Sequence, residues 1–468
     1  MKHLLALIHR VTEGRVPRTQ VLLLLVLAVG YAEITLIGAL GPTLEQVFHF
    51  NNTTLGLLAT ASNVVAALAT IPFGVLTDRA RRTMLLAICL TIWSAAVGIA
   101  GASVSLAMFF AARLLLGGMS AVTGPAVPSL VGDLVPAAHR ARAFGLIESG
   151  QLAGSGLGFI LAAAITAFIS FRWCFWVLGV AGALLAMAFW RLPEPRRTTA
   201  GPLEGGDGGG DTETPVQRLV REAGVAPSPT AILREDPMRM PLWSAARYVV
   251  RVRTDLIMMA SRMVGDFFLA AIGTFGVLFA VKQYGLSQGA ADLAMLIVGV
   301  GALAGFLLVG RAGDRLIRKR RLNGRLWLGA LGYILGPLPL FFALRTHRLE
   351  IALPLFALGA FFVAGAGPTL DAVRVDVVVA RLRGRTESIR QVQRTAVEGS
   401  APVLFGVISG AVPGGGGLQL AFTASLPALM VSGLITLLAL RTYGPDVAAA
   451  LASTKRGAAG QAKGDRPE

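Results

Sequence analysis

Charge is scarce in this chain. Of 468 residues, 15% are Asp, Glu, Lys or Arg and 54% are apolar, whereas soluble domains carry about 25% charge. A soluble chain of this composition would have to hide more apolar surface than its interior can hold, so soluble enzymes and disordered scaffolds are excluded. Cysteine is also scarce. Cys89 and Cys174 are the two present, each inside an apolar run, which rules out a disulfide framework and a zinc site. Both read as small core residues. The sequence contains no GxxxxGK[ST] loop to hold ATP and no HExxH. Its five histidines all fall in termini or loops, so no Ser-His-Asp triad can form within a span. The run from Pro413 through Gly417 is too short and uncharged to cradle a phosphate. No enzyme, metal or cofactor is expected.

Apolar runs of about 20 residues recur instead, the length one helix needs to cross a bilayer. Twelve spans are read, at 20–44, 55–76, 83–103, 105–131, 143–168, 172–190, 256–281, 289–309, 326–344, 350–372, 389–411 and 418–440. The fold class is therefore all-α integral membrane. The first run follows Arg10, Arg15 and Arg18 but is too long for a signal peptide and is expected to be retained. The net charge of +17 would suit a nucleic-acid partner, yet the basic residues fall in alternate loops. Arg79, Arg81 and Arg82 lie in the second loop, Arg140 and Arg142 in the fourth, seven Lys or Arg from Arg311 to Arg325 in the eighth, and Arg381, Arg383, Arg385 and Arg390 in the tenth. That is the orientation bias of a membrane protein. Both termini and the central loop are expected in the cytoplasm, the bilayer of the cell membrane is the surrounding partner, and no nucleic acid is expected.

Four segments follow: a six-helix half at 1–191, a central loop at 192–255, a second six-helix half at 256–441 and a disordered cytoplasmic tail at 442–468. Residues Gly201 to Thr214 read as a flexible acidic linker. Residues 241–254 mix Arg247, Arg251 and Arg253 with Trp243 and Tyr248. They read as a helix on the inner membrane surface or as a basic lead-in to span seven. The halves repeat: GVLTDRARR begins at Gly74 and GRAGDRLIRK at Gly310, with Asp78 and Asp314 in matching positions. Two six-helix copies in the same orientation form a parallel-repeat transporter.

The loop containing Gly74, Leu76, Asp78, Arg79 and Arg82 closely resembles the signature loop of the major facilitator superfamily, and Gly310, Asp314 and Arg315 resemble its second copy. In physical terms the glycine permits close helix approach, the aspartate suits a helix start, and the arginines reach carboxylates or lipid phosphates. The resemblance implies twelve helices in two pseudo-repeats, with these loops acting as a gate that latches one state. It further implies alternating access driven by protons and a monomer.

Charges inside spans are expensive and usually functional. Spans three, six, nine and twelve carry none between their ends, so every third helix is expected to face lipid. Glu33 in span one has no basic residue within a turn and is expected to be a lone, proton-coupling carboxylate. Arg262 with Asp266, and Arg394 with Glu398, are spaced i, i+4 and can neutralise each other. Arg113, four residues before Gly117, matches the family's fourth-span pattern, and the resemblance implies that it faces the cavity. Glu148, Asp371 and Arg374 lie near inner ends and are candidates for an inner gate. Gly150, Gly154 and Gly158 make a close-packing face on span five.

FRWCFWVLGVAG from Phe171, LPEPRR from Leu192 and FAVKQYGLS followed by GRAGDR resemble the Spinster-type branch, whose members move lysophospholipids and sphingosine phosphate. The expected function is proton-coupled transport of a small amphipathic or lipid-like solute. The alternatives are a drug or metabolite exporter of the same superfamily and, more remotely, a membrane sensor or scaffold that does not transport.

Overall fold

A computed structural model describes residues 18–134, 140–166, 169–194, 215–233, 242–379, 382–412 and 416–464. The linker at 201–214 lies outside the described residues, as do the side chains of Asp78, Arg79, Glu148 and Trp243. Among the described residues regular structure is helical, without strands. Eleven helical stretches are long and apolar enough to cross a membrane. The remaining span expected, at 389–411, forms a helix too, Arg383–Gly410. Its first half carries Arg383, Arg385, Glu387, Arg390, Arg394 and Glu398, and that density of charge separates it from the other eleven.

The chain clusters into two compact units. The first comprises residues 1–210 with 273–293. It holds α1 (Arg18–Ala39), α2 (Gly41–Phe48), α3 (Asn52–Arg79), α4 (Arg82–Gly101), α5 (Leu106–Ser120), α6 (Thr123–Leu134), α7 (Arg140–Thr166) and α8 (Arg172–Trp190). Helix starts are set locally: Asn51 accepts from the Thr54 N–H at 3.0 Å, and the Ser105 hydroxyl from the Met108 N–H at 3.3 Å, satisfying orphan donors of the first turn. The small-residue face of span five does what its spacing predicts. Cβ atoms added at Gly150, Gly154 and Gly158 would come within 2.4, 2.1 and 2.7 Å of the Leu24, Ala28 and Ala32 carbonyls of α1. Side chains larger than hydrogen cannot fit there, so α1 and α7 run backbone to backbone. Leu23, Leu27, Leu86, Leu130, Ile147 and Phe189 fill the core beside this contact.

The spatial boundary differs from the one expected at 256. Residues 273–293 belong to the second sequence repeat but pack with the first unit. A Cβ at Gly38 would lie 2.0 Å from the Gly273 carbonyl oxygen, so the absence of a side chain at residue 38 is what admits the second-repeat helix.

The second unit comprises residues 211–272 and 294–468. Its elements are α9 (Pro215–Glu222), α10 (Leu242–Arg251), most of α11 (Arg253–Tyr284) and of α12 (Gln288–Arg318), then α13 (Gly324–Leu335), α14 (Pro337–Arg345), α15 (Leu349–Val377), α16 (Arg383–Gly410), α17 (Gly417–Leu438) and α18 (Tyr443–Gly464). The hydroxyls of Ser261, Ser432 and Thr436 tie α11 to α17 at 2.7–2.9 Å. Helix α10 is separate from α11; Tyr248 and Val249 are buried in protein while Arg247 and Arg251 are exposed.

The tail expected to be disordered from 442 onward is instead helical through Gly464. Tyr443, Val447 and Ala450 are buried. Asp446 accepts from the Thr254 N–H at 2.8 Å, Ser453 from the Leu233 N–H at 2.9 Å, and the Pro445 carbonyl from the Ser228 N–H at 3.0 Å. The stretch is too polar and small to read as a core element, but alanine is the best helix former and the central segment supplies the surface it covers.

Candidate functional site

In the first unit, Glu33 of α1 and Arg113 of α5 meet. Each is 3% exposed, and the Arg113 Nη1 donates to Glu33 Oε1 in a short ion pair. This corrects the expectation that Glu33 stands alone: its cation is 80 residues away in sequence. The pair forms where α5 lies close to α3. A Cβ at Gly117 would come within 2.2 Å of the Ser62 carbonyl oxygen, and the Ser62 hydroxyl donates to the Arg113 carbonyl at 3.0 Å. The Arg113 Nε has no hydrogen-bond partner among the described residues, so the guanidinium retains an unused donor.

In the second unit, the other ionisable candidates of the spans form three ion-paired groups beside one small cavity. Arg262 reaches Asp266 at 3.1 Å and Asp371 at 3.9 Å. Asp371 also binds Arg390 at 3.0 Å, Arg394 binds Glu398 at 2.7 Å, and Arg374 binds the fully buried Asp255 at 2.8 Å. Arg262, Arg374, Arg390 and Arg394 line a small cavity with Asp266, Met259, Met263 and Val397. Asp255, Asp371 and Glu398 hold the guanidiniums but do not line it. The cavity wall is thus rich in cationic donors, with thioether and aliphatic surface beside them.

The motif segments are held by partners the sequence reading did not single out. Arg82, 2% exposed, donates from Nε to Glu194 at 2.9 Å and from Nη1 to the Ser129 hydroxyl at 2.8 Å. Glu194 also accepts from the Thr83 N–H at 2.9 Å and hydroxyl at 2.8 Å. Burial by itself would raise the Glu194 carboxyl pKa; the hydrogen bonds from Thr83 and Arg82 outweigh it and hold the carboxyl below its ordinary value. The second unit repeats this plan. Arg325, one residue into α13, binds Asp314 and Asp376, each at 2.8 Å, and the Tyr443 hydroxyl donates to Asp376 at 2.7 Å. Burial, then the Asp376 carboxylate, push the Tyr443 phenol well up. In both units an arginine opening the third helix of the repeat is held by the end of the fourth and by the segment after the sixth.

Two motif expectations change. A Cβ at Gly74 would meet no described residue of its unit within 4 Å, so no close helix approach within that unit depends on this glycine. Gly310 does sit against α15, with Pro368 at 3.4 Å, and Arg315 is exposed. Gly74 to Arg79 close α3 and Gly310 to Arg315 lie near the end of α12, so the motif aspartates stand toward helix ends and not at a helix start; the partner Glu194 was visible only as part of LPEPRR.

The sequence profile of the Major Facilitator Superfamily matches residues 22–392. The chain belongs to this superfamily. With eleven helical stretches long and apolar enough to cross a membrane among the described residues, it has the multi-pass build of that family. It is 24% identical over 330 residues to the MFS-type transporter phiD of a fungal species, a match covering 68% of this chain and 48% of that protein. It is 24% identical over 310 residues to the D-galactonate transporter of Escherichia coli O6:H1, covering 64% and 67%. It is 29% identical to human protein spinster homolog 3 over 162 residues, 34% of this chain and 31% of that one. The aligned part of the chain thus spans about half the length of the first relative and a third of the last. Among solved structures, a bacterial homolog of the human lysosomal transporter Spinster, inward-facing and occupied, superposes with a TM-score of 0.73 at 18% identity, covering 92% of this chain and 99% of that one. A D-xylose–proton symporter gives 0.64 at 16% identity, covering 90% and 95%. These likenesses establish the fold.

Proposed function

We propose that this transporter works by alternating access, is driven by protons and carries an anionic amphipathic solute across the cell membrane as a monomer with both termini in the cytoplasm. The observation that carries this reading is the buried Glu33–Arg113 pair. An ion pair sealed from water is costly to break by removing one charge, and Arg113 cannot lose its proton. Glu33 can gain one. Protonation of Glu33 removes the anion that neutralises Arg113 and frees Nη1 beside the already unused Nε. An anionic solute group can then replace the carboxylate. Proton and anion load together, and the loaded unit keeps its charge balance.

Several features support the solute class. The second unit adds a cavity with room for about one water, walled by arginines, Asp266, Gln393, methionines and a valine; these are the side-chain types a charged head and an apolar stem would meet if it widened. The Spinster-type segments and the Spinster homologues among the relatives point to lysolipids. The D-galactonate transporter among those relatives supports a second reading, export or import of a small organic anion without a tail.

The test uses proteoliposomes with an imposed pH gradient, offering a lysophospholipid or D-galactonate as probe. The Glu33→Gln protein mimics the protonated form but cannot release a proton. It should exchange solute across a gradient-free membrane and fail to accumulate it against one. Gradient-driven accumulation equal to the parent's would make Glu33 structural and shift attention to Asp266 and Glu398.

A further inference from the structure

Asp292 lies in the fifth position of α12, within residues 273–293 of the first unit, and is 0% exposed. Neither of its carboxylate oxygens accepts a hydrogen bond from a described residue. One helical turn earlier and on the same face, the Gln288 Nε2 is also buried and without a partner, while its Oε1 takes the Thr43 hydroxyl of α2 in a short contact. This turn of α12 rests on α7: a Cβ at Gly289 would lie 3.5 Å from the Ala163 carbonyl oxygen. From α8, the buried Cys174 thiol donates at 3.7 Å to the carbonyl of Leu161, two residues before Ala163 on α7.

Among the described residues no ion pair is formed with this carboxyl. On α1, Glu33 is taken up by Arg113. On α2, Glu45 is paired with Lys282 of α11 at 3.0 Å, and Tyr284 is the other titratable group at that end of α11. His49 follows α2. Residues 149–166 of α7 contain no titratable side chain. At the start of α8, Arg172 donates to the Ser103 carbonyl at 3.1 Å and lies over the Phe171 ring. On α12 itself the next charge is Arg311. An ionised carboxylate with neither donor nor counter-ion is strongly disfavoured in a protein interior.

We infer that Asp292 is a second proton-binding site, distinct from Glu33, and that its occupancy controls whether residues 285–293 stay packed on α7 and α8. With a proton on the carboxyl the segment stays closed. When the proton leaves, the carboxylate must reach water, and the first turns of α12 separate from α7 and α8. By linkage, anything that opens this end releases the same proton. The inference goes beyond the coupling role given to Glu33 and requires no knowledge of the solute.

Cys174 reports the opening. In full-length protein carrying Cys89→Ser, Cys174 is the sole thiol, and its alkylation by N-ethylmaleimide can be followed by intact mass from about pH 5 to about pH 9. Rates are normalised to free cysteine at each pH. The normalised rate should rise about tenfold per pH unit while Asp292 ionises, because opening and the loss of one proton are linked. Asp292→Asn should stay at the slow rate throughout, Asp292→Glu should keep a rising profile, and Glu33→Gln should match the parent. A flat parental profile would overturn the inference whether or not Asp292→Asn folds. So would an Asp292→Asn profile that follows the parent, or a Glu33→Gln protein whose profile is flat. A parental rate that responds to replacing K⁺ with Na⁺ at fixed pH would assign the carboxylate to a metal cation and also overturn it.

Discussion

Replacing Glu194 with glutamine tests whether the segment after span six clamps the motif loop. Glu194 accepts hydrogen bonds from the Arg82 guanidinium at 2.9 Å, from the Thr83 N–H at 2.9 Å and from the Thr83 hydroxyl at 2.8 Å. Glutamine has one acceptor oxygen. If that oxygen stays with Thr83, the amide NH2 faces the Arg82 guanidinium, donor against donor. The charge-assisted bond is lost, worth about 1.5–3 kcal/mol, while the Arg82 bonds to Ser129 remain. A loss of that size lowers the melting midpoint of a unit of about 200 residues by roughly 3–12 °C. The pH dependence follows from the lowered carboxyl pKa. A group whose folded value lies below its unfolded value, about 4.3 for glutamate, gives its full stabilisation above the unfolded value and loses it as pH falls through the folded one. The gap between parent and Glu194→Gln should therefore be constant from about pH 8 to about pH 5 and close in acid. Thermal unfolding of both proteins in detergent across that range measures it. Equal midpoints near neutrality, or a gap that widens in acid, would refute the clamp. Combining Glu194→Gln with Arg82→Gln should cost less than the sum of the two, since they share one interaction.

Asp78→Asn should leave expression and melting unchanged and slow transport, because the motif loop acts on the balance between two states rather than on the solute; unchanged turnover in the proteoliposome assay removes that role. A cysteine placed at Gly208, in a Cys89→Ser, Cys174→Ser background, should resist an impermeant maleimide in intact cells and react after lysis. Labelling in intact cells would invert the topology.

What was legible in the sequence is what depends on the periodicity of one helix. Gly150, Gly154 and Gly158 needed only a four-residue interval to be read as a contact face, and the contact is there. Arg262 with Asp266 and Arg394 with Glu398 were readable for the same reason. Pairings between helices were not. Glu33 and Arg113 each drew attention, yet nothing in either span says that one faces the other. Asp292 escaped because an acid near a helix start looks like an ordinary partner for the helix dipole, and only the packing of that turn shows that it has no solvent. Tyr443 and Asp446 looked like the beginning of a polar tail because the surface they cover lies in another loop.

That last arrangement has a consequence for how the chain is made. The bond from Leu233 to Ser453 joins residues 220 apart in sequence, with six spans of the second repeat between them. At ordinary elongation rates of 5–20 residues per second, the central segment waits about 10–40 s for its partner helix to be synthesised. During that interval Val216, Val220 and Leu233, buried in the finished protein, lack α18 to cover them. Covering of this surface thus waits until α18 has been synthesised. A chain that stops near residue 442 would carry every span and still present an unfinished surface to the cell's proteases.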